Sequence, residues 1–440
     1  MSEEEKRMED NEEETSGSDS DSSDDETERS LKASLETIEK TLAEFPYDYA
    51  AHVERVSILR GLSELDRLRE ARESFASKYP LTSDLWLAWI RDEKGIASTP
   101  AEKDGIYELF ERAVGDYVSV PLYLEYCQFA LGSVGTEEGN QRVRGVFEKA
   151  ISAVGLNMNE GGLIWDAYRE FEIALLQCSP GDQAQRDRVE KVFKRQLAVP
   201  LLEMKATLEE YLQFTGQGKP DKSVESSFNQ AKKMLEDRKK FEEDISQSAE
   251  NAAKNKEHYK EYLDFEISAG QPTRITCLFE RWVTEHCLDP EVWLKYLRFL
   301  DTQLKIPAVS LPVHERAVRN CTWSGHLWAG YMRALEKCGE QSSINKITPV
   351  FERAVGAELS SPPDYLRVWL AYIDFRRRAT FSEDDDEKDT EGDRGARKAK
   401  EESLRTLFSR AVESLASIEG ADPECKVGWV QPMEGEKNIN

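Results

Sequence analysis

The chain has 440 residues, of which 33% are charged, and a formal net charge of −26; this is longer than one compact core usually holds. Much of the acid is concentrated, because residues 1–30 carry a net charge of −11 and residues 382–393 carry −7, which leaves −8 for the rest. This mildly acidic remainder argues against a general polyanion-binding surface. No apolar run is long enough to predict a membrane span, so we expect no membrane partner.

The first 30 residues are too acidic and too poor in apolar side chains to predict a folded core, so we expect a disordered acidic tail there. Within it, Ser18, Ser22 and Ser23 each precede an acidic residue by three positions, a pattern that acidophilic kinases favour. Phosphorylation would deepen the negative charge. An unmodified, solubilising tail is the alternative.

From residue 31 onward the apolar residues follow a helical period, and from residue 81 a unit of two helices recurs. The first helix carries an aromatic residue, two free positions and a second aromatic residue. The second helix carries a four-residue box of the form F-E-R-A. Copies of the first-helix box start 34 to 51 residues apart, which is typical of stacked helix pairs.

We therefore predict an all-α fold, an α-solenoid of about nine helix pairs, in which the box residues pack between neighbouring helices. The residues assigned to these structural boxes are Trp86, Trp89, Phe110, Arg112, Ala113, Tyr123, Tyr126, Phe147, Trp165, Tyr168, Phe193, Tyr259, Tyr262, Phe279, Trp293, Tyr296, Arg316, Trp328, Tyr331, Phe351, Arg353, Trp369, Tyr372 and Phe408.

Two further box assignments are less regular. One copy of the second-helix box is placed at Phe228, where the sequence reads F-N-Q-A, and another at His314, where it reads H-E-R-A.

A basic residue follows the box aromatic by two positions in most copies. We expect its aliphatic stem to pack along the fold and its charged head to pair with an acid on the partner helix. The candidate acids are Glu93, Glu172 and Glu266, each four residues after the second aromatic of a first-helix box. A line of arginines that grips phosphate is the functional alternative.

The pattern divides the chain into N-terminal repeats at 31–218, long bridging helices at 219–271 and C-terminal repeats at 272–420, with an acidic loop at 382–393. The basic run at 394–400 is expected to neutralise that loop and start a helix, with a weak nuclear-import signal as the alternative. An irregular tail at 421–440 follows without a capping repeat. A capping repeat normally ends such arrays, so the sequence suggests a chain shortened by alternative splicing or by a gene-model error.

Signatures of catalysis are missing from the sequence. It contains no nucleotide-binding loop, no serine-hydrolase elbow and no RNA-recognition signature. The seven cysteines form no CxxC pair and the five histidines have no zinc spacing, so we predict reduced thiols and no metal. Asn320 begins a glycosylation sequon that we interpret as a chance match. We predict no enzyme activity and no cofactor.

The boxes W-x-x-Y-x-x-F and F-E-R-A resemble the half-a-tetratricopeptide (HAT) repeats of RNA-processing scaffolds. The segments at 79–93, 106–117, 192–201 and 313–323 are similar to the N-terminal half of the spliceosome-recycling scaffolds of that family, and the likeness covers roughly residues 45–418. The resemblance implies a nuclear protein of pre-mRNA splicing that acts in U4/U6 snRNP recycling. The cytoplasm is a second expected location, because no strong import signal is present.

The same resemblance implies spliceosomal snRNP proteins as partners, ubiquitin-specific proteases as further partners, and a homodimer formed by the C-terminal repeats. Other HAT scaffolds, of the cleavage-stimulation or crooked-neck type, and an RNA-binding solenoid are the alternatives. In the family, paired RNA-recognition motifs hold the RNA. The chain departs from the family by ending before those motifs, so direct RNA binding is expected to be weak.

Overall fold

The computed structural model describes residues 19–339, 343–380 and 391–418, which contain nineteen α-helices, one short π-helix and no β-strand. The predicted all-α fold of paired helices is confirmed. Parts of three predicted features fall outside the described residues: residues 1–18 of the acidic tail, residues 382–390 of the acidic loop and the whole irregular tail at 421–440. Residues 391–393, predicted to end the acidic loop, are helical instead.

The chain divides after Leu81 into two compact units, and each is described by itself. In the first unit three helices pack around a small core that includes Leu35, Leu59 and Leu68. The helices are α1 (Asp19–Glu44), α2 (Tyr49–Gly61) and α3 (Leu65–Lys78).

Helix α1 begins earlier than the sequence predicted, so residues 19–30 are helical although they were assigned to the disordered tail. The second half of the helix is anchored because Leu35 and Ile38 are buried. The ammonium of Lys32 lies 2.6 Å from a carboxylate oxygen of Glu28 one turn earlier, and acidic side chains are favourable near a helix N-terminus. A helix that is held at one end can therefore continue into the acidic segment.

The second unit contains the remaining helices, most of them packed on their neighbours along the chain. They are α4 (Ser83–Ile96), α5 (Pro100–Asp116), α6 (Val120–Leu131), α7 (Glu137–Val154), α8 (Gly161–Cys178), α9 (Gln183–Leu197), α10 (Met204–Thr215), α11 (Lys222–Gln247), α12 (Ala252–Ala269), α13 (Pro272–Glu285), α14 (Pro290–Phe299), α15 (Pro307–Asn320), α16 (Gly325–Lys337), α17 (Ser343–Gly356), α18 (Pro362–Thr380) and α19 (Glu391–Ala416). Helix α11 packs on α9 and α12.

Local sequence signals set the ends of these helices. Thr99 caps α5 through a capping box, in which its hydroxyl accepts from the Glu102 amide at 3.3 Å and Glu102 accepts from the Thr99 amide at 2.8 Å. Helix α12 ends at Gly270, whose φ of +72° is a left-handed conformation that glycine adopts readily. Pro272 then starts α13 at a position where a missing amide proton costs nothing.

Helices α11 and α12 occupy the segment predicted to bridge two blocks of repeats, and the basic run at 394–400 lies in the first turns of α19. The structure places α11 and α12 in the same compact unit as the repeats on both sides of them. The compact units therefore separate at Leu81, and the bridging role of α11 and α12 stays a prediction.

One set of contacts in the second unit joins helices that are far apart in sequence. Arg319 at the end of α15 donates to Asp116 at the end of α5, with 2.9 Å between nitrogen and oxygen. The adjacent Tyr117 hydroxyl donates to the side-chain carbonyl of Asn320. Because Asn320 is buried and its amide is hydrogen-bonded, the sequon that it begins is not presented to solvent in this fold.

Candidate functional site

The repeat boxes bring aromatic rings together across successive helices. In the copies from Phe110 to Phe351, the phenylalanine of a second-helix box lies against the second aromatic residue of the following first helix, mostly in a stacked arrangement. The ring centroids are 4.6 Å apart for Phe110 and Tyr126, 4.9 Å for Phe147 and Tyr168, 4.8 Å for Phe279 and Tyr296, and 3.9 Å for Phe351 and Tyr372.

Most of the predicted box residues are buried, which is the environment that a packing role requires. The buried ones are Trp86, Trp89, Phe110, Ala113, Tyr123, Tyr126, Phe147, Trp165, Tyr168, Phe193, Tyr259, Tyr262, Phe279, Trp293, Tyr296, Arg316, Trp328, Phe351, Trp369 and Tyr372.

The other four box residues are more accessible: Tyr331 and Phe408 are half-buried, and Arg112 and Arg353 are exposed. The Arg112 guanidinium lies 5.4 Å from the ring centroids of Trp86 and Trp89. That of Arg353 lies 5.4 Å from the ring of Trp328. The guanidinium heads thus lie over tryptophan rings on the first helix of their own repeat.

The charged heads pair with glutamates in a regular way that the sequence did not indicate. The basic residue of one second-helix box contacts the glutamate directly after the aromatic residue in the preceding second-helix box. Both side-chain oxygens of Glu148 accept from Arg195, at 2.6 and 2.8 Å, and those of Glu280 accept from Arg316, at 3.0 and 2.8 Å. The remaining pairs are Lys149 with Glu111, Arg281 with Glu242, Arg353 with Glu315 and Arg410 with Glu352.

We call Glu111, Glu148, Glu242, Glu280, Glu315 and Glu352 the glutamate ladder. Several of these carboxylates also accept a hydrogen bond from the second aromatic residue of the intervening first helix. The distance is 2.6 Å from the Tyr126 hydroxyl to Glu111 and 2.7 Å from the Tyr296 hydroxyl to Glu280. Each such glutamate therefore ties together three successive helices through charge-assisted hydrogen bonds.

The electrostatics of the ladder favour fixed charges. Hydrogen bonds from Arg195 hold the pKa of the Glu148 carboxyl below its ordinary value, and those from Arg410 do the same for Glu352. Burial, together with the Glu315 carboxylate, raises the pKa of Tyr331 to about 12. At neutral pH the carboxylates of Glu148 and Glu352 are therefore ionised and the Tyr331 hydroxyl is protonated.

The predicted partners of the box arginines were wrong for two of the three acids. Glu172 accepts from Arg144 at 2.8 and 3.1 Å, and Glu266 accepts from Arg238 at 2.6 and 3.1 Å. Arg144 and Arg238 each lie three residues before the phenylalanine of a second-helix box. We call these two contacts the inner pairs, because each joins the two helices that meet at one phenylalanine.

The box assigned to Phe228 was also wrong, and the residue that takes its place is Phe241. The Phe241 ring stacks on Tyr262 at 5.0 Å, and the following Glu242 accepts two hydrogen bonds from Arg281, both at 2.7 Å. Phe228 packs instead at the edge of the cluster around Phe193. Phe241 and Glu242 match the first two positions of the F-E-R-A box. The sequence therefore contained the information needed to place this box, although the F-N-Q-A match at Phe228 was chosen.

His314 fills the position that phenylalanine occupies in other copies. Its ring stacks on Tyr331 with 5.8 Å between centroids, and its Nε2 lies 3.1 Å from Asp301. Asp301 belongs to the π-helix Leu300–Leu304, a rare element that inserts one extra residue into a turn. The imidazole therefore keeps the packing of the box and adds one polar contact.

Within the part of the chain that the structure describes, no cluster of three or more histidine, cysteine, aspartate or glutamate side chains could hold a metal ion. No helix among the same residues is long and apolar enough to cross a membrane. The geometry that the boxes create is one of packing and ion pairing between helices.

These features define a class, the proteins built from stacked aromatic-rich helix pairs, and comparison with known proteins defines the family. Residues 31–213 match the model of the PRP39 N-terminal HAT repeat, and residues 236–311 match that of the PRP39 C-terminal HAT repeat. The chain belongs to the HAT-repeat proteins, as its boxes indicated.

Two relatives carry the same printed description, spliceosome associated factor 3, U4/U6 recycling protein. The mouse protein is 39% identical over 399 residues and the human protein 38% identical over 399 residues, in each case over 89% of this chain and 39% of the relative. The chain thus spans well under half the length of these relatives. The crystal structure of CstF-77 is also similar, with a TM-score of 0.42, 13% identity and coverage of 81% of this chain and 89% of that one.

Proposed function

We propose that this chain is a non-enzymatic protein-interaction scaffold of pre-mRNA splicing that acts in the recycling of U4/U6 snRNPs. The observation that carries the proposal is the 39% identity, over 89% of the chain, to a mouse protein described as a U4/U6 recycling protein. The repeat architecture supports it, because stacked helix pairs present long surfaces to other proteins.

The proposed partners are spliceosomal snRNP proteins, with ubiquitin-specific proteases as further partners and a second copy of the chain bound through the C-terminal repeats at 272–418. The proposed location is the nucleus, with the cytoplasm as a second location. The resemblance of the repeat boxes to spliceosome-recycling scaffolds supports each of these assignments. Direct RNA binding is proposed to be weak, since the sequence outside its two acidic segments carries a net charge of −8 and binding to phosphates depends on basic side chains.

Affinity purification of the tagged full chain from nuclear extract, followed by quantitative mass spectrometry, tests this function. We expect enrichment of U4/U6 snRNP proteins, and we expect them to remain bound after ribonuclease treatment because the contacts join protein to protein. Enrichment of the mRNA cleavage machinery instead would contradict the splicing assignment. Loss of all partners on ribonuclease treatment would contradict a protein-interaction scaffold.

A further inference from the structure

Among the described residues, the inner pairs form in only two of the helix pairs of the second unit. In α7 and α8 the site is filled by Arg144 and Glu172, and in α11 and α12 by Arg238 and Glu266. In α5 and α6 the corresponding positions, three residues before Phe110 and four residues after Tyr126, hold Tyr107 and Ala130. An arginine–carboxylate pair cannot form there.

A cavity of about 630 Å³ lies at Tyr107, lined by residues of α4 to α7 that include Lys94, Lys103, Phe129 and Arg142. Tyr107 and Phe129 are half-buried, and their ring centroids are 4.9 Å apart in an edge-to-face arrangement. The Tyr107 hydroxyl lies 2.9 Å from the Ser133 hydroxyl, which fixes the ring. We call this cavity the Tyr107 pocket; two positioned rings form its apolar floor.

Cations surround that floor. The Arg142 guanidinium lies 5.0 Å from the Tyr107 ring centroid, and the Lys94 ammonium lies 5.8 Å from that of Phe129. Two basic side chains therefore lie next to the aromatic surface, where positive charge is favoured over a ring face.

The cations of the pocket are only partly neutralised by the protein itself. Arg142 lies 3.2 Å from Asp104 and Lys94 pairs with Glu125, which is outside the lining. Lys103 is exposed and its ammonium has no ion-pair partner among the described residues. The lining also holds the carboxylates of Asp104 and Glu138, and Glu125 beside it neutralises Lys94, so Lys103 is the pocket cation that an acidic ligand can reach without displacing an ion pair.

We propose that the Tyr107 pocket docks an acidic peptide segment of a protein partner. An aromatic or aliphatic side chain of that segment rests on Tyr107 and Phe129, and its carboxylates pair with Lys103 and Arg142. Aromatic residues and arginine are enriched where binding energy concentrates in protein interfaces. The inference rests on the proposed scaffold function and names the chemistry of one partner contact.

Fluorescence anisotropy of the full chain tests the proposal with labelled peptides as probes. The probe is EDFLDE, and its matched controls are EDAADE, which lacks the apolar side chains, and KKFLKK, which reverses the charge. The unmodified chain is expected to bind EDFLDE at least about tenfold more tightly than either control, a difference worth about 1.4 kcal/mol.

The substitution Lys103→Glu changes an exposed side chain without an ion-pair partner, so the fold is expected to survive, with the circular dichroism spectrum as the check. We expect it to weaken binding of EDFLDE about tenfold, and the double variant Lys103→Glu/Arg142→Glu to weaken it further. Lys205→Glu is the matched control, because Lys205 is exposed on α10 and outside the pocket lining; binding is expected to stay within about twofold.

Equal binding of EDFLDE by the unmodified chain and by folded Lys103→Glu would overturn the proposal. So would preferential binding of a labelled oligouridine that Lys103→Glu abolishes, because the pocket would then be a nucleic-acid site. If affinity purification recovered snRNP proteins but the chain did not bind EDFLDE, the peptide-docking role of the Tyr107 pocket would be overturned and the splicing function would stand. Peptide binding without recovery of snRNP proteins would sustain the pocket and overturn the splicing function.

Discussion

Replacement of Trp293 by alanine is expected to lower the free energy of unfolding by about 3–5 kcal/mol, because it opens a large cavity between helices. The Trp293 side chain is fully buried, its indole nitrogen donates to the Cys287 carbonyl at 2.7 Å, and the Arg316 guanidinium lies 5.5 Å from its ring. Denaturant titration followed by circular dichroism measures the loss. Hydrogen exchange should place it in the repeats next to α14, since repeat proteins can unfold locally.

Leu288→Ala is a matched control from the same region. Leu288 is 65% exposed, so its truncation is expected to change the unfolding free energy by less than about 0.5 kcal/mol. If Trp293→Ala kept the full stability of the chain but lost partner binding, Trp293 would be a contact residue and the packing interpretation of the boxes would be wrong. Tyr168→Ala provides an independent copy of the same test in α8.

The second large effect is expected from Arg316→Met, which leaves a buried carboxylate without its cation. Arg316 and Glu280 are each 8% exposed and joined by two hydrogen bonds. Removal of one partner from a buried ion pair costs about 3–5 kcal/mol, because the remaining charge stays in a poorly solvated place. The drop should appear in the same denaturant titration.

Arg353→Met gives the comparison within the ladder. Arg353 and Glu315 form the same kind of pair at 2.7 and 3.1 Å, but their side chains are 46% and 33% exposed. Exposed pairs contribute about 0–1 kcal/mol, so this variant is expected to lose little stability. Equal losses from the two substitutions would show that burial does not govern the strength of the ladder.

Much of the fold could be predicted because pairs of aromatic residues one helical turn apart recur along the chain. This recurrence is typical of stacked helix pairs. Trp86 and Trp89, or Trp293 and Tyr296, lie one turn apart on one face, and such a face must be covered by a neighbouring helix. The sequence therefore indicated both the helices and the residues between them. The structure agrees with this expectation, because all four side chains are buried.

The box of the long helix α11 could not be located from its own sequence. Both Phe228 and Phe241 lie on that 26-residue helix, and a helical period alone does not say which one faces the next first helix. The choice is made by Tyr262 on α12 and by Arg281 on α13, which contact Phe241 and Glu242. The position of this box is therefore set by contacts between helices and not by the sequence of α11 alone.

The partners of the arginines escaped prediction for a related reason. The sequence reasoning looked for each acid on the first helix of a repeat, whereas the ladder runs between successive second helices, as from Glu148 to Arg195. The contacts of Asp116 with Arg319 and of Tyr117 with Asn320 join residues 203 positions apart. The helical period of a sequence reports on neighbouring turns only, so it could not predict contacts between residues so far apart in the chain.

A titration of U6 RNA with purified residues 1–440 most directly tests the proposal that this chain binds proteins and has little affinity of its own for RNA. Affinity for RNA comes largely from lysine and arginine at phosphates and from exposed aromatic rings that stack on bases. Here the aromatic rings of the boxes are mostly buried, and the box arginines Arg195, Arg316 and Arg410 are engaged by glutamates.

At physiological salt we expect a dissociation constant no tighter than about 10⁻⁴–10⁻⁶ M, the range of non-specific association. The same value is expected for an unrelated RNA of equal length, which serves as the control. Sub-micromolar binding that selects U6 over the control would contradict the account and would indicate a specific RNA-binding surface on the repeats.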